Sequence, residues 1–195
     1  MLKIAIQSKG RLADQSRALL NQYGLEFSCE SRSDKVRCTK KNVELLLLRD
    51  DDIPQYVERG IADFGIVGKN VLCEKSANVR IQESLNFGQC SLVIAVPKNS
   101  LIKTVTDLEG ERIATSYPNI LRAFLERQNI TGAIIELKGS VEVAPSLNLA
   151  DAICDLTQTG TTLRANNLRI ITTIFESQAA LISAPTITAS LQSFL

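Results

Sequence analysis

A hydroxyl-rich loop, set between an apolar run and a helical pattern, is the stretch of this sequence best equipped for chemistry. It lies within Asp151-Ala-Ile-Cys-Asp-Leu-Thr-Gln-Thr-Gly-Thr-Thr-Leu163. Ala152–Leu156 reads as a strand, Thr157-Gln-Thr-Gly-Thr-Thr162 as a loop, and Leu163-Arg-Ala-Asn166 as the start of a helix. Successive backbone N–H groups at a helix start, reinforced by the helix dipole, suit a phosphate monoester. Gly160 permits a positive φ and a close backbone approach, while Thr159, Thr161 and Thr162 add hydroxyl donors. Asp151 and Asp155, four residues apart, share a face of a strand and suit ribose hydroxyls or a magnesium ion. Plainer readings stand beside these: a turn with threonine as helix cap, and two solvated acids at strand ends.

Cations form a second group. Lys9-Gly10-Arg11 follows the strand Leu2–Ile6, and Arg49 closes the strand Val43–Leu48 just ahead of Asp50-Asp51-Asp52, with Arg32 between. In a parallel sheet such strand ends are the ligand-binding edge. Any one of these arginines alone reads as a surface charge. Several at strand ends fit a polyanion, for which the guanidinium fork is the preferred partner. Two further segments are softer: Ser116-Tyr-Pro-Asn119 reads as a turn into a helix, with Tyr117 equally suited to packing or to ligand stacking. Gly139-Ser-Val-Glu-Val-Ala-Pro145 carries Glu142 ahead of a short helical run, and by itself that residue reads as exposed.

The elements that must position these residues are short runs rich in Val, Ile and Leu alternating with helical patterns, the signature of α/β architecture with mostly parallel strands. Strands are predicted at Leu2–Ile6, Val43–Leu48, Phe64–Val67, Leu92–Val96, Arg112–Ala114, Ile134–Leu137, Ala152–Leu156 and Ile170–Ile174. Helical spacing joins Leu12, Ser16, Leu19, Leu20 and Tyr23, and again Ile120, Phe124 and Gln128 after Pro118. Ser91-Leu-Val-Ile-Ala-Val-Pro97 echoes Ala179-Ala-Leu-Ile-Ser-Ala-Pro185, as two paired strands carrying the chain between lobes would, or as two ordinary buried strands. On the hinge reading, residues 1–90 plus 185–195 form one lobe and 91–184 the other, with hinge strands near 91–97 and 179–185. The cleft between lobes is then the expected ligand site.

Composition narrows the classes. In 195 residues, 45% hydrophobic and 22% charged, 22 basic side chains face 21 acidic ones for a net charge of +1. That balance favours neither nucleic acid nor an anionic membrane. No stretch approaches the roughly 20 apolar residues of a membrane span, and Met1–Gln7 is too short for a secretory signal. The five cysteines are scattered without a C-x-x-C pair, so a reducing cytoplasm is expected, and Cys154 reads as a small buried hydrophobe. With no histidine in the chain, Ser-His-Asp and Cys-His mechanisms are excluded.

Taken together, Lys9-Gly-Arg-Leu12, Leu48-Arg-Asp-Asp-Asp-Ile-Pro54, Ala62-Asp-Phe-Gly-Ile-Val-Gly-Lys69, Ser116-Tyr-Pro-Asn119 and Gly139–Leu168 resemble the ATP phosphoribosyltransferase family, the first enzyme of histidine biosynthesis. The blocks cover nearly the whole chain, and Gly139–Pro145 followed by Leu149–Asn166 is the most specific part. The resemblance implies two α/β lobes similar to type II periplasmic binding proteins. It implies magnesium-dependent (Mg2+) transfer of phosphoribose from phosphoribosyl pyrophosphate to N1 of the adenine of ATP. By position, Thr159–Leu163 (Thr159, Gly160, Thr161, Thr162, Leu163) would hold the 5-phosphate and Asp151 or Asp155 the ribose, with Thr157 also in contact with substrate. Lys9, Gly10, Arg11, Arg32 and Arg49 would face pyrophosphate and ATP phosphates, with Arg37 the alternative to Arg32, and Tyr117 and Glu142 would line the site. The chain resembles the short form, which implies a regulatory subunit similar to histidyl-tRNA synthetase and a homodimer within a hetero-oligomer. Two other classes share parts of the pattern: a two-lobe binding protein without turnover, and a phosphoribosyltransferase for another base.

Overall fold

The computed structural model describes residues 1–27, the backbone of 35–37, and residues 42–194. Arg32 lies outside the described residues, as do Cys29, Cys38 and the side chain of Arg37. In chain order the elements are β1 (Leu2–Gln7), α1 (Arg11–Gln22), β2 (Lys35–Arg37), β3 (Val43–Leu48), α2 (Ile53–Glu58), β4 (Phe64–Gly68), α3 (Lys69–Lys75) and β5 (Arg80–Ser84). They continue with β6 (Cys90–Pro97), β7 (Arg112–Thr115), α4 (Pro118–Gln128), β8 (Ala133–Glu136), β9 (Ala152–Thr157), α5 (Thr161–Ala165), β10 (Leu168–Ser177) and β11 (Ala179–Ser183). No helix among the described residues is long and apolar enough to cross a membrane.

The chain divides into two compact units, Met1–Gly88 with Gln178–Leu195, and Gln89–Ser177. Each is built on one mixed sheet, ordered β2-β3-β1-β4-β11-β5 in the first unit and β10-β6-β9-β7-β8 in the second. The expectation of mostly parallel strands holds for part of each sheet, the centre of the first and the β9-β7-β8 side of the second. β1 runs parallel to β3 and β4, and β7 parallel to β8 and β9, whereas the remaining pairs are antiparallel.

Period-two alternation explains why these runs are apolar on both faces. In the first unit Ile4, Ile6, Phe64, Ile66 and Leu181 pack on one face with Leu20 of α1. Ala5, Val67, Ala180 and Ile182 pack on the other, under Ile53 and Val57 of α2. The second unit repeats the arrangement. Leu92, Ile94, Ala152 and Cys154 meet Ile120 and Phe124 of α4, while Val93, Ala95 and Ile153 meet Val141 and Leu163. Cys154 is fully buried, as a small hydrophobe would be.

The echoed runs are not partners. Residues 91–97 fall within β6, which pairs with β10 and β9, while β11 lies between β4 and β5 in the first unit. An apolar run buried on both faces looks the same whichever sheet receives it, so the likeness of the two runs carried no information about pairing.

A different repeat is visible in the hydrogen bonds. Asp63 stands at the head of β4 and accepts the Lys3 N–H on Oδ2 at 2.7 Å, and its own N–H donates to the Lys3 carbonyl at 2.9 Å. Asp151 stands at the head of β9 and does the same with Arg112, at 3.0 and 2.8 Å. The segments Ile61-Ala-Asp63 and Leu149-Ala-Asp151 are thus one device used twice.

In the second unit Arg112 also grips Asp151 through its side chain, Nε to Oδ2 at 2.9 Å and Nη2 to Oδ1 at 2.8 Å. These bonds hold the Asp151 carboxyl down to about 2 against the opposing effect of partial burial. A depressed pKa stabilises the fold above the unfolded value near 4, and the contribution is lost as pH falls toward the folded value. Asp151→Asn should therefore cost roughly 1 kcal/mol at neutral pH, discounted for the pair's exposure. Thermal melting should show the gap from the parent closing between about pH 4 and pH 2.

Candidate functional site

Parallel pairing of β7 with β9, Ile113 opposite Ala152 through Thr115 opposite Cys154, delivers the C-terminal ends of both strands to one edge of the second sheet. That edge receives Ser116 and Tyr117 from β7, the loop after β9, and a single 3-10 turn, Val141–Val143, that packs against β9. The Ser116 hydroxyl donates to the Leu137 carbonyl at 2.7 Å, and the Tyr117 N–H to Thr115 Oγ1 at 2.9 Å, so this corner is internally tied. The Tyr117 ring packs partly against the α4 core.

The loop after β9 has the backbone form the sequence suggested. Gly160 sits at φ 70°, ψ 8°, a left-handed conformation ahead of α5. The first N–H groups of a helix have no acceptor within it, which leaves Thr161, Thr162 and Leu163 to present theirs at the loop. With five residues α5 has little macrodipole, so local N–H groups rather than a long dipole give the loop its preference for an anion. Thr159 and Thr161 share a hydroxyl–hydroxyl hydrogen bond of 2.9 Å, and Thr157 Oγ1 accepts the Gly160 N–H at 2.9 Å. The Leu163 side chain is 4% exposed and faces the core, so only its backbone is available to a ligand.

Strand parity places Asp155 and Thr157 on the face of β9 that carries Ile153, toward Val141 and Leu163. Burial pushes the Asp155 carboxyl up to about 6; the Leu156 N–H, donating to Oδ1 at 2.8 Å, opposes this, and the negative charge of Glu142 adds to it. Asp155 and Glu142 thus form a pair of carboxylates beside the loop. Asp151 is not brought there. It stands at the other end of β9, about 20 Å of strand from Thr157 and about 13 Å from Asp155, and both of its oxygens are engaged by Arg112. One magnesium ion cannot be shared by the two aspartates. Among the described residues no group of three or more acidic, cysteine or histidine side chains is placed to hold a metal.

The first unit collects its cations in the same way. Gln7 lies opposite Leu48 in the parallel β1–β3 pair, and the Ser8 N–H extends that ladder to the Leu48 carbonyl at 2.8 Å. Lys9 and Arg49 thereby line one depression of about 260 Å³ with Ser8, Asp50 and Asp51. Gly10, at φ 95°, turns the chain into α1, whose first residue is the exposed Arg11. Partial burial raises the Asp50 pKa, and the charges of Asp51 and Asp52 raise it further, against two backbone N–H groups that lower it.

A family model for ATP phosphoribosyltransferase matches residues 49–193. An ATP phosphoribosyltransferase of Cytophaga hutchinsonii is 44% identical over 195 residues, spanning 100% of this chain and 68% of that protein. The chain belongs to the ATP phosphoribosyltransferase family. The enzyme of that name from Maricaulis maris is also 44% identical, over 93% of this chain but only 64% of its own length. Among solved structures, the ATP phosphoribosyl transferase (HisG:HisZ) complex from Thermotoga maritima has a chain 36% identical, with a TM-score of 0.82 over 95% of this chain and 88% of that one. The alkanesulfonate-binding protein from Xanthomonas axonopodis pv. citri bound to MOPS, 17% identical, matches at 0.59 over 94% and 65%. That likeness concerns fold alone and agrees with the periplasmic-binding architecture expected from the ATP phosphoribosyltransferase resemblance.

Two residues were not singled out from the sequence. Arg112 engages Asp151 at the strand heads, away from the loop, and Arg164 folds back onto the loop, donating from Nη2 to the Thr159 carbonyl at 3.0 Å. Each lies at a spacing that becomes meaningful only once strand register and loop conformation are known.

Asp155 generates a prediction for this edge. Its folded pKa is raised, so the fold disfavours the ionised form, and stability falls as pH climbs through about 4 to 6. Asp155→Asn removes that penalty and should melt a few degrees higher than the parent at pH 7.5, with the advantage gone near pH 4. An advantage independent of pH would assign it to packing instead.

Proposed function

We propose that this chain transfers the phosphoribosyl group of phosphoribosyl pyrophosphate to N1 of the adenine ring of ATP, releasing pyrophosphate, the first step of histidine biosynthesis. One observation carries the reading: a left-handed Gly160 between threonine hydroxyls, beside the Asp155–Glu142 pair, in a chain 44% identical to ATP phosphoribosyltransferases.

The loop Thr159–Leu163 takes the donor's 5-phosphate through its N–H and hydroxyl groups. Asp155 and Glu142 accept hydrogen bonds from the ribose hydroxyls, and Tyr117 borders the same edge. Lys9, Arg11 and Arg49 of the first unit meet pyrophosphate and the ATP phosphates, together with Arg32 or Arg37 from beyond the described side chains. The adenine N1 lone pair forms the new bond to the anomeric carbon as the bond to pyrophosphate breaks, and the electron pair leaves on the pyrophosphate oxygen. Positive character grows on the sugar and negative charge on the leaving group. Fixed cations and correct alignment of two polyanions lower that barrier, with no demand for an imidazole base. A magnesium ion carried by the substrate phosphates would have Asp155 or Glu142 as neighbouring carboxylates and would supply charge neutralisation for the leaving group. A cytoplasmic enzyme working as a homodimer with a separate regulatory subunit is part of the same proposal. The solved neighbour described as a HisG:HisZ complex supports the separate protein partner.

Two substitutions test these roles. Gly160→Val imposes a branched side chain on a left-handed residue, a strain of about 1–3 kcal/mol, with a Cβ only 3.0 Å from Arg164 Nη1. Donor affinity measured by calorimetry should fall at least about tenfold while the protein stays folded; unchanged affinity removes the loop from donor binding. Arg11→Ala should lower kcat by roughly 100-fold with less than about a threefold change in ATP binding, as for a group acting on transition-state charge. A raised KM with kcat intact would make Arg11 a plain binding group.

A further inference from the structure

The peptide unit between Thr159 and Gly160 is held at both ends. Its carbonyl accepts from Arg164 Nη2 at 3.0 Å, and its N–H donates to Thr157 Oγ1 at 2.9 Å. The same Arg164 nitrogen reaches Thr161 Oγ1 at 3.4 Å. The Arg164 N–H closes the first turn of α5 on the Gly160 carbonyl at 3.0 Å. A glycine is the residue whose flanking peptides rotate most freely, so an unrestrained Gly160 would leave the loop spread over several conformers. A ligand would then bind only the competent fraction and lose affinity in proportion.

We propose that Arg164 is a positioning residue for the anion loop. With the Thr157 hydroxyl it locks the Thr159–Gly160 peptide plane, so that the N–H groups opening α5 are aimed before the phosphate arrives. Its guanidinium suits this role because a charged donor makes a stronger bond to a carbonyl than a neutral one, and because it lies on the next turn of the same helix. The site so arranged takes the 5-phosphate of a phosphoribosyl group, which rests on the function proposed above. The ordering itself does not rest on that function.

The test measures the loop with and without ligand. In the ligand-free full chain, Arg164→Met should speed amide hydrogen exchange at Gly160 about tenfold while exchange in β9 and the melting temperature stay at parental values. In turnover assays the KM for phosphoribosyl pyrophosphate should rise about tenfold, with kcat and the KM for ATP within about twofold, the pattern of a preorganisation loss confined to one substrate. Arg164→Lys, which keeps a charged donor, should recover part of both effects. Unchanged exchange at Gly160 in Arg164→Met overturns the proposal whatever the substrate is, and so does an equal loss for both substrates. If the parent protein fails to bind phosphoribosyl pyrophosphate, the functional reading falls instead, and the exchange measurement still decides the role of Arg164.

Discussion

A carboxylate at the head of one parallel strand, accepting the N–H of its neighbour's corresponding residue, sets the register on which both sites depend. Asp63 fixes β4 against β1, and Asp151 fixes β9 against β7, each with a reciprocal N–H to carbonyl bond. Because the strands are parallel, fixing them at the head decides which residues arrive together at the far edge. A one-residue slip would turn every side chain to the opposite face. It would exchange buried Cys154 for Asp155 against α4, and the loop would open from the wrong side of the sheet. Charge makes this a durable device: the Arg112 fork on Asp151 adds two further bonds in the second unit.

At the far edge the energetics change sign. Asp155 is partly buried next to another acid, and its carboxyl is raised to about 6, so the fold carries a group it would be more stable without. A strand head tied by hydrogen bonds thus stands opposite an acidic, partly buried strand tail, order where register is set and an electrostatic cost at the candidate ligand edge. Under the proposed function, the hydroxyls of a sugar phosphate would meet these carboxylates and its phosphate the loop. The first unit shows the same polarity, with the Asp63 clamp at one end of its central strands and Lys9, Arg49 and the Asp50–Asp52 acids at the other.

The central strands were legible because burial on both faces demands unbroken apolar runs, and β1, β3, β4, β6, β7 and β9 all start or end within a residue or two of their expected positions. The polar edge strand β5, Arg80–Ser84, has no such run and gives no periodic signal. Gly160 could be read because only a positive φ explains a glycine amid threonines at that turn, and the structure has it at 70°. Asp151 could not be read correctly, since its partner lies 39 residues away in β7 and only the strand order reveals it. Leu163 was grouped with the loop by proximity in sequence, yet the turn of α5 sends its side chain to the core. The repeat that mattered, Ile61-Ala-Asp63 against Leu149-Ala-Asp151, is three residues long and acquires meaning only through register. The longer and more conspicuous echo of 91–97 and 179–185 joins strands of different sheets.

The central claim is that one chain joins two specified polyanions with loss of pyrophosphate, and product identity tests it most directly. Purified protein, with its regulatory partner if one co-purifies, should be given phosphoribosyl pyrophosphate, ATP and magnesium, with the nucleotide product resolved by mass and by the site of substitution on adenine. The account predicts one pyrophosphate released per ATP consumed, a product carrying phosphoribose on N1, and no release when ATP is withheld or replaced by another purine nucleotide. Pyrophosphate release without ATP, or transfer to a different base at a comparable rate, would contradict it.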